Sequence, residues 1–260
     1  MLTGKSAIVT GSTSGIGLGI ATAFARQGAE VMLNGFGDPD QIETLRAAMQ
    51  REHGVRVRYS GADMSDPAAI REMADYARAE FGKVDIVVNN AGIQHVAPVE
   101  EFPEAKWNAI LAINLSSAFH LIQAVVPEMK ARRWGRIINI ASAHGLTASP
   151  FKSAYVAAKH GVIGLSKTVA VELAEHGITS NTICPGYVKT PLVEKQIADQ
   201  AKAHNIPPEN VVRDVLLSHQ ARKEFVQVDE LAALAVFLST EAGASMTATA
   251  IAMDGGWTQH

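Results

Sequence analysis

The chain has 260 residues, of which 47% are hydrophobic, so a single α/β domain of this length can bury a substantial core. Lys and Arg total 23 against 26 Asp and Glu, and this balance argues against the basic surface of a nucleic-acid-binding protein. The single cysteine, Cys184, excludes an internal disulfide and hence a disulfide-rich secreted scaffold. We interpret Cys184 as a buried structural thiol rather than a reactive one.

The start of the chain does not have the pattern of a targeting segment. It lacks the charged n-region and the long apolar core of a signal peptide, and no uninterrupted apolar run approaches the ~18 residues of a membrane helix. We therefore expect a soluble cytoplasmic protein that binds neither nucleic acid nor a membrane.

Short apolar runs alternate with longer segments of helical periodicity, which is the pattern of βα units around a parallel sheet. Seven runs are predicted to be strands, at residues 6–9, 30–33, 55–59, 84–88, 136–140, 178–183 and 249–253. Helices are predicted at residues 15–27, 39–53, 67–82, 103–131, 152–175 and 229–238. Asp38-Pro39 and Asp66-Pro67 each supply an N-cap and a first-turn proline. Residues 1–260 are thus predicted to form one doubly wound α/β domain.

The βα rhythm breaks between residue 190 and about residue 218. This stretch is polar and helix-prone and contains Pro207-Pro208. We interpret residues 190–218 as an insertion that folds over the substrate site as a lid.

A glycine-rich loop, Thr10-Gly11-Ser12-Thr13-Ser14-Gly15-Ile16-Gly17, separates the first strand from the first helix. Such glycines allow positive φ and let the backbone approach a pyrophosphate at a helix N-terminus. The spacing is G-x-x-x-G-x-G rather than the common G-x-G-x-x-G, and a tight turn alone is also consistent with it. Its place directly after an apolar strand near the N-terminus favours a nucleotide site.

Several segments together resemble the short-chain dehydrogenase/reductase family. They are the glycine loop, Asn89-Asn90-Ala91-Gly92, Ser142, Tyr155-x-x-x-Lys159 and Pro185-Gly186, in family order and spacing over nearly the whole chain. The resemblance implies a Rossmann-like sheet with strand order 3-2-1-4-5-6-7 and a nicotinamide dinucleotide above the strand ends. It also implies the cofactor-binding residues Gly11, Thr13, Ser14, Gly15, Ile16, Gly17, Phe36, Asp63, Asn90, Ala91, Gly92, Tyr155, Lys159, Pro185, Gly186, Val188 and Thr190.

The choice between NAD and NADP depends on charge after the second strand. A 2′-phosphate requires a basic side chain in the glycine loop or after that strand, and residues 34–38 and Ser14 supply none. Phe36 offers an apolar wall to the adenosine instead. We predict NAD by this exclusion, since the usual ribose-binding acid is also missing from the strand end. The resemblance implies that Asp63, after the third strand, contacts the adenine, and a turn cap is the alternative.

Tyr155 and Lys159 are four residues apart, so on a helix they share one face. A nearby ammonium favours the phenolate of a tyrosine, and alcohol oxidation requires a base that accepts the hydroxyl proton. The resemblance makes Tyr155 the general acid/base and Ser142 a hydrogen-bond partner of the reacting oxygen. It makes Lys159 the residue that lowers the tyrosine pKa and holds the ribose, and Asn114 the anchor of a water that links Lys159 to solvent. No metal is expected, because the nine histidines show no ligand spacing.

A narrower resemblance, to bacterial D-3-hydroxybutyrate dehydrogenases, rests on residues 91–95, 142–146, 191–196 and 254–257. It implies that four hydrogen-bond donors surround a substrate carboxylate, namely Gln94, His144, Lys152 and Gln196, and that Trp257 lies near the methyl end. Ser142 and Tyr155 would hold the reacting oxygen. The expected reaction is the NAD-dependent interconversion of D-3-hydroxybutyrate and acetoacetate.

Other interpretations of these residues remain open from the sequence. His144 is also consistent with a strand-end histidine bonded to backbone, and Lys152 with a solvated lysine at a helix start. Trp257 could fill a subunit interface, and Gln196 reaches the site only if the insertion covers it. Two departures from the family pattern concern stability: no proline follows Gln220, and Ala248 stands where glycine is common, which is strained if φ is positive there.

Alternative functions share parts of this pattern. A 3-oxoacyl-carrier-protein reductase has the same catalytic residues, but it would favour NADPH and require a basic patch for its carrier. Another small-alcohol dehydrogenase is a further alternative. A catalytically silent dinucleotide sensor predicts a broken Ser/Tyr/Lys set, and the set is intact here. Apolar stripes on the two long helices predict a homo-oligomer, and the resemblance makes it a homotetramer.

Overall fold

The structure, a computed structural model, describes residues 1–189, 197, 201, 206–207 and 210–259. Its strands are β1 Ser6–Val9, β2 Glu30–Asn34, β3 Val57–Ser60, β4 Ile86–Asn89, β5 Gly135–Ile140, β6 Ile178–Pro185 and β7 Ala250–Met253. Its main helices are α1 Gly15–Arg26, α2 Pro39–His53, α3 Pro67–Phe81, α4 Glu104–Leu111, α5 Ser117–Arg132, α6 Ser153–Leu173 and α7 Val228–Ser239.

The seven strands form one parallel sheet with the order β3-β2-β1-β4-β5-β6-β7, which confirms the expected topology. One face is covered by α1 and α7, where Ile20, Phe24 and Leu231 pack on β1, β2 and β4. The other face is covered by α3 and α5, where Met73 and Leu121 join the second core cluster. The strand order reverses between β1 and β4, and ligands of doubly wound sheets bind in the crevice at such a point.

The two Asp-Pro signals begin helices as predicted. The Asp38 carboxylate accepts a hydrogen bond from the Gln41 N–H at 3.0 Å, and the Asp66 carboxylate accepts one from Ala68 N–H at 2.8 Å. Strand bounds differ from the predicted ones by one or two residues. At β3 the difference has a local cause, because Gly54 ends α2 in the left-handed conformation and pairing with β2 begins only at Val57.

The predicted helix at 103–131 is interrupted. A π-helical turn, Ala112–Ser116, separates α4 from α5 and contains Asn114. Within the described residues, the combined stretch Glu104–Arg132 alone has the length and mean hydropathy (1.8) of a membrane span. Leu121, Val125 and Met129 from this stretch pack beneath the sheet, which accounts for part of its apolar character.

Candidate active site

The glycine loop after β1 is fixed by contacts with β2. Gly11 and Gly15 have φ of +61° and +56°, the left-handed region in which glycine is favoured. The Asn34 side chain accepts a hydrogen bond from Gly11 N–H at 3.2 Å, and its amide donates to the carbonyl oxygens of Ser60 and Ala62. Asn34 was not among the predicted site residues. Its only sequence signal is a polar residue directly after the apolar run of β2.

The loop after β4 is joined to the glycine loop across the point where strand order reverses. Thr10 Oγ1 accepts hydrogen bonds from the backbone N–H groups of Asn90 and Ala91, at 2.9 and 3.0 Å. In return, the Asn90 side chain donates to the carbonyl oxygens of Thr10 and Gly11. These four bonds hold the two loops in one arrangement at the crevice.

A cavity of about 260 Å³ lies in this crevice. Eight of the predicted cofactor residues line it: Gly11, Thr13, Ser14, Phe36, Asp63, Asn90, Ala91 and Gly92. Phe36 is 69% exposed, so its side chain is free to contact a ligand in the cavity. Asp63 fits both of its interpretations, because one carboxylate oxygen caps Ser65 while the residue also lines the cavity.

The N-terminus of α1 is suited to an anion. Its N-cap, Ser14, makes no side-chain cap, and no acidic residue lies in the first turn Gly15–Gly17. The positive end of the helix dipole and the free backbone N–H groups therefore point toward the crevice unneutralised. A dinucleotide pyrophosphate fits this arrangement.

A second cavity continues from the first past Phe36. Asp38 and Gln41 line it together with Thr13 and Ser14. Among the residues described, no lysine or arginine lines either cavity. Asp38, four residues beyond β2, was not predicted as a site residue and places a carboxylate near the expected ribose.

The end of β6 lies on the opposite side of the crevice. Gly186 N–H donates to Met253 O at 2.9 Å, and Val188 pairs with Val226. Gln220 is 1% exposed; its side chain accepts a hydrogen bond from Tyr187 N–H and donates to Arg222 O and Glu224 O. This glutamine therefore fixes the segment that lacks the expected proline. The predicted contacts Thr190 and Gln196 lie outside the described residues, as does most of the predicted lid.

Three of the four expected catalytic residues come together at the C-terminal end of β5 and the start of α6. Ser142 follows β5 and is hydrogen-bonded with the Tyr155 hydroxyl, while its Oγ also accepts a bond from His144 N–H at 3.2 Å. Lys159 is 4% exposed; its Nζ donates to Ile140 O at 2.8 Å and lies 5.5 Å from the centre of the Tyr155 ring. The predicted helical pair of Tyr155 and Lys159 is present in α6.

The electrostatics of this group differ in part from expectation. Burial raises the pKa of the Tyr155 phenol, and the bond with Ser142 opposes that rise. Burial also lowers the pKa of Lys159 to about 8, so the ammonium form still predominates at pH 7. Burial and Ser142 are the causes that act on the Tyr155 pKa here, and a lowering of that pKa by Lys159 stays a prediction.

Asn114 is hydrogen-bonded to the loop after β4. Its side chain accepts a hydrogen bond from Ile93 N–H at 2.8 Å and donates to Ile93 O at 2.9 Å. Both polar side-chain atoms are thus used to hold the loop after β4, directly before Gln94. A water link between Asn114 and Lys159 stays a prediction.

Two basic side chains lie near Ser142 and Tyr155: Lys152 is half-buried and His144 is buried. His144 is 7% exposed, and burial together with the neighbouring charges of Lys152 and His219 lowers its pKa to about 4. Burial also lowers the pKa of Lys152. Among the described residues, the Lys152 side chain makes no hydrogen bond or ion pair, while His144 Nδ1 lies 3.5 Å from Ser142 Oγ. The His144 ring therefore lies next to Ser142 and Tyr155, and its assignment as a substrate contact stays a prediction.

Aromatic rings pack around His144. The Trp257 ring lies 4.9 Å from His144, edge to face, and is parallel to Tyr187 at 5.6 Å and to His219 at 5.8 Å. Trp257 therefore packs against His144, which itself contacts the Tyr155 ring. Tyr187 and His219 were not predicted, because nothing in their local sequence distinguishes them from surface aromatic residues. Gln94 is exposed on the loop that Asn114 holds.

Cys184 is fully buried at the end of β6, and burial raises the pKa of its thiol to about 11. A thiol with this pKa carries almost no thiolate at neutral pH. This agrees with its interpretation as a structural residue.

Comparison with known proteins agrees with this geometry. The family model described as "short chain dehydrogenase" matches residues 5–201. The chain is 56% identical over 257 residues to a D-beta-hydroxybutyrate dehydrogenase of Cupriavidus necator, covering 99% of both chains. It is 54% identical over 254 residues to a protein of the same name from Rhizobium meliloti, covering 98% of both.

A more distant relative differs in its named substrate. The D-threitol dehydrogenase of Mycolicibacterium smegmatis is 38% identical over 260 residues, covering 99% of this chain and 94% of that protein. All these relatives match almost the entire length of the chain. The chain belongs to the short-chain dehydrogenases, a family of nicotinamide-dependent oxidoreductases.

Proposed function

We propose that the protein is an NAD-dependent dehydrogenase that interconverts D-3-hydroxybutyrate and acetoacetate. The observation that carries this proposal is the unpaired, half-buried Lys152 beside the neutral His144, next to Ser142 and Tyr155. A cation that has lost hydration without gaining a partner favours an anionic ligand. The two most similar relatives above are named for the same hydroxy acid.

The proposed roles follow from position. Lys152 gives a charge-assisted bond to the substrate carboxylate, with His144 and Gln94 as further donors. Because the pKa of His144 is about 4, its ring is neutral at pH 7 and donates from one nitrogen only. Gln196 is the fourth proposed donor, and Trp257 with Tyr187 forms the wall at the methyl end.

The proposed proton transfer occurs at the Tyr155 phenolic oxygen. This oxygen takes the proton of the substrate hydroxyl in oxidation and returns it in reduction, while Ser142 Oγ orients the reacting oxygen. The Lys159 ammonium offsets the effect of burial by favouring the phenolate. The cofactor-binding residues predicted above would hold a nicotinamide dinucleotide, which would supply the hydride acceptor.

Among the described residues, no lysine or arginine lines the two cavities where the ribose is expected, which supports NAD over NADP. Asp38 and the exposed Phe36 lie there, and a 2′-phosphate would meet a carboxylate instead of a basic side chain. Phe36→Arg should raise kcat/KM with NADP by about one to two decades, because an added charge-assisted bond is worth roughly 1.5–3 kcal/mol. Phe36→Leu, which keeps the apolar character, is the matched control and should leave the preference for NAD intact.

The functional test is an assay of purified protein with the two enantiomers of 3-hydroxybutyrate and an uncharged secondary alcohol of similar size. Each is tested with NAD and with NADP, and reduced nicotinamide is followed by absorbance. We expect the D-acid with NAD to have the highest kcat/KM. Equal use of acid and neutral alcohol would contradict the hydroxy-acid assignment, and a preference for NADPH with acyl-carrier substrates would favour the 3-oxoacyl reductase alternative.

We also propose a homotetramer in the cytoplasm. Trp107 on α4, Phe119 on α5 and Val171 on α6 are exposed at 37%, 46% and 75%, which suits burial between subunits. Light scattering of the purified protein measures the assembly, and a monomer at micromolar concentration would contradict it.

A further inference from the structure

Phe151, directly before Lys152, has a backbone conformation that a bulky residue rarely adopts. Its φ is +64°, and among the described residues only Arg133 and Ala248 share a positive φ without being glycine. Arg133 ends α5 and Ala248 precedes β7, so Phe151 is the one that borders the proposed substrate site. Non-glycine residues in this region persist only where the surrounding structure determines them, and they cluster at functional sites.

The Phe151 side chain does not explain this conformation. The ring is 57% exposed and makes no ring–ring contact within the described part of the chain. Burial of the phenyl group therefore contributes little that could offset the backbone cost. The role of this left-handed conformation therefore concerns the main chain of Phe151 and the residue that follows it, Lys152.

The main chain of Phe151 connects two segments of the site. Its carbonyl oxygen accepts a hydrogen bond from Ala97 N–H at 3.0 Å. Ala97 lies three residues after Gln94, on the loop that Asn114 fixes at Ile93. This bond thus joins the loop with Gln94 to the segment with His144 and Lys152.

The same turn determines the position of Lys152, which directly precedes α6. Lys152 is the residue that precedes the helix, with φ −125° and ψ 36°, and it has no side-chain cap. Its direction relative to His144 therefore depends on the chain that enters the helix, which is Phe151. A shift of Phe151 to an ordinary extended conformation would move both Lys152 and the carbonyl that Ala97 contacts.

We propose that Phe151 is a positioning residue whose left-handed backbone holds Lys152 and the Gln94 loop in one anion-binding arrangement. The identity of the anion as a hydroxy acid rests on the proposed function above. The positioning itself rests on the φ of Phe151, its bond with Ala97 and the place of Lys152. Phe151 touches neither the reacting atoms nor the cofactor crevice in this role.

The test compares substitutions that differ in backbone preference. Phe151→Asn adopts the left-handed region readily, whereas Phe151→Val resists it because of its β-branch. In Phe151→Val the KM for D-3-hydroxybutyrate should rise about tenfold with kcat nearly unchanged, since only the population of the binding-competent state falls. Phe151→Asn should keep the wild-type KM although it also lacks the ring. The KM of a neutral alcohol should be unchanged in both variants.

A second measurement does not depend on the substrate. Hydrogen exchange of the Ala97 amide should be slow in the wild type and in Phe151→Asn, and at least several-fold faster in Phe151→Val. Equal protection in the two variants, or equal KM values, would overturn the proposal. If the wild type does not oxidise D-3-hydroxybutyrate, the proposed function fails, and amide exchange still decides the role of Phe151. Thermal unfolding of each variant shows that the comparison is made on folded protein.

Discussion

The cofactor crevice and the substrate pocket are built by different means, although one sheet edge carries both. In the crevice, short polar side chains are paired within the fold: Thr10 with Asn90 and Ala91, and Asn34 with Gly11. In the pocket, Lys152 and His144 are withdrawn from water without a comparable set of partners.

This difference has an energetic meaning. The paired groups of the crevice stabilise the folded chain and shape a cradle without any ligand. The half-buried Lys152 ammonium costs stability until an anion binds, whereas His144 is neutral at pH 7. Substitutions in the pocket should therefore separate ligand affinity from stability more clearly than substitutions in the crevice.

The largest effect is expected at the acid/base. Tyr155→Phe keeps the ring and removes the phenolic oxygen, so kcat should fall by about 10²–10⁴. Steady-state assays measure kcat, and fluorescence titration with reduced nicotinamide measures cofactor binding, which should change little because the crevice is intact. A variant that retained a tenth of the wild-type kcat would exclude Tyr155 from proton transfer.

The next effect concerns the pH dependence of stability that His144 causes. Its pKa is about 4 in the folded protein and near 6.5 in an unfolded chain, so between these pH values the unfolded state binds more protons. This group's contribution to the free energy of unfolding is complete above pH 6.5 and should decrease as the pH falls toward 4. The loss is on the order of 3 kcal/mol.

Urea denaturation across this pH range measures the effect. His144→Asn should flatten the dependence, whereas His160→Asn, an exposed change on α6, retains His144 and should retain the fall. An unchanged slope in His144→Asn would mean that other groups cause the acid sensitivity.

Removal of the unpaired cation should weaken the acid substrate selectively. Lys152→Ala removes a charge-assisted bond of roughly 1.5–3 kcal/mol, or about one to two decades in kcat/KM for 3-hydroxybutyrate. A neutral alcohol has no carboxylate to lose and should be affected much less. Lys167→Ala, an exposed change on the same helix, is the matched control. Equal losses for both substrates would give Lys152 a structural role instead.

The smallest effect is expected at Ala248, outside both regions, where the free energy of unfolding reports the cost of backbone strain. Ala248 has φ +60°, so Ala248→Gly should raise the free energy of unfolding by about 1 kcal/mol with no change in activity. Ala244, with φ −60°, is a matched position where glycine should destabilise instead. Thermal unfolding distinguishes the two, and a loss of stability in Ala248→Gly would show that no strain is relieved there.

The strands, the helix starts and the helical pairing of Tyr155 with Lys159 could be predicted because their signals are local. Apolar runs, Asp-Pro pairs and a Tyr/Lys pair one helical turn apart are visible within a few residues. Asn34, Asp38 and Tyr187 were missed because their roles depend on contacts with distant segments. The π-helical turn at Asn114 belongs to the same class, since it accompanies a contact with Ile93, 21 residues away. The left-handed φ of Phe151 likewise has no signal in its sequence neighbours.

Asn34 and Phe36 are separated by a single glycine and have different roles. Asn34 is fully buried and binds the loops around it, so a change there would disturb the whole crevice. Phe36 is mostly exposed, and few contacts of the fold depend on its side chain. Mutations at position 36 can therefore accumulate and be selected without a loss of folding, while position 34 stays under constraint. In a lineage built on this chain, nucleotide preference should change by single steps at the surface while the buried frame is inherited intact.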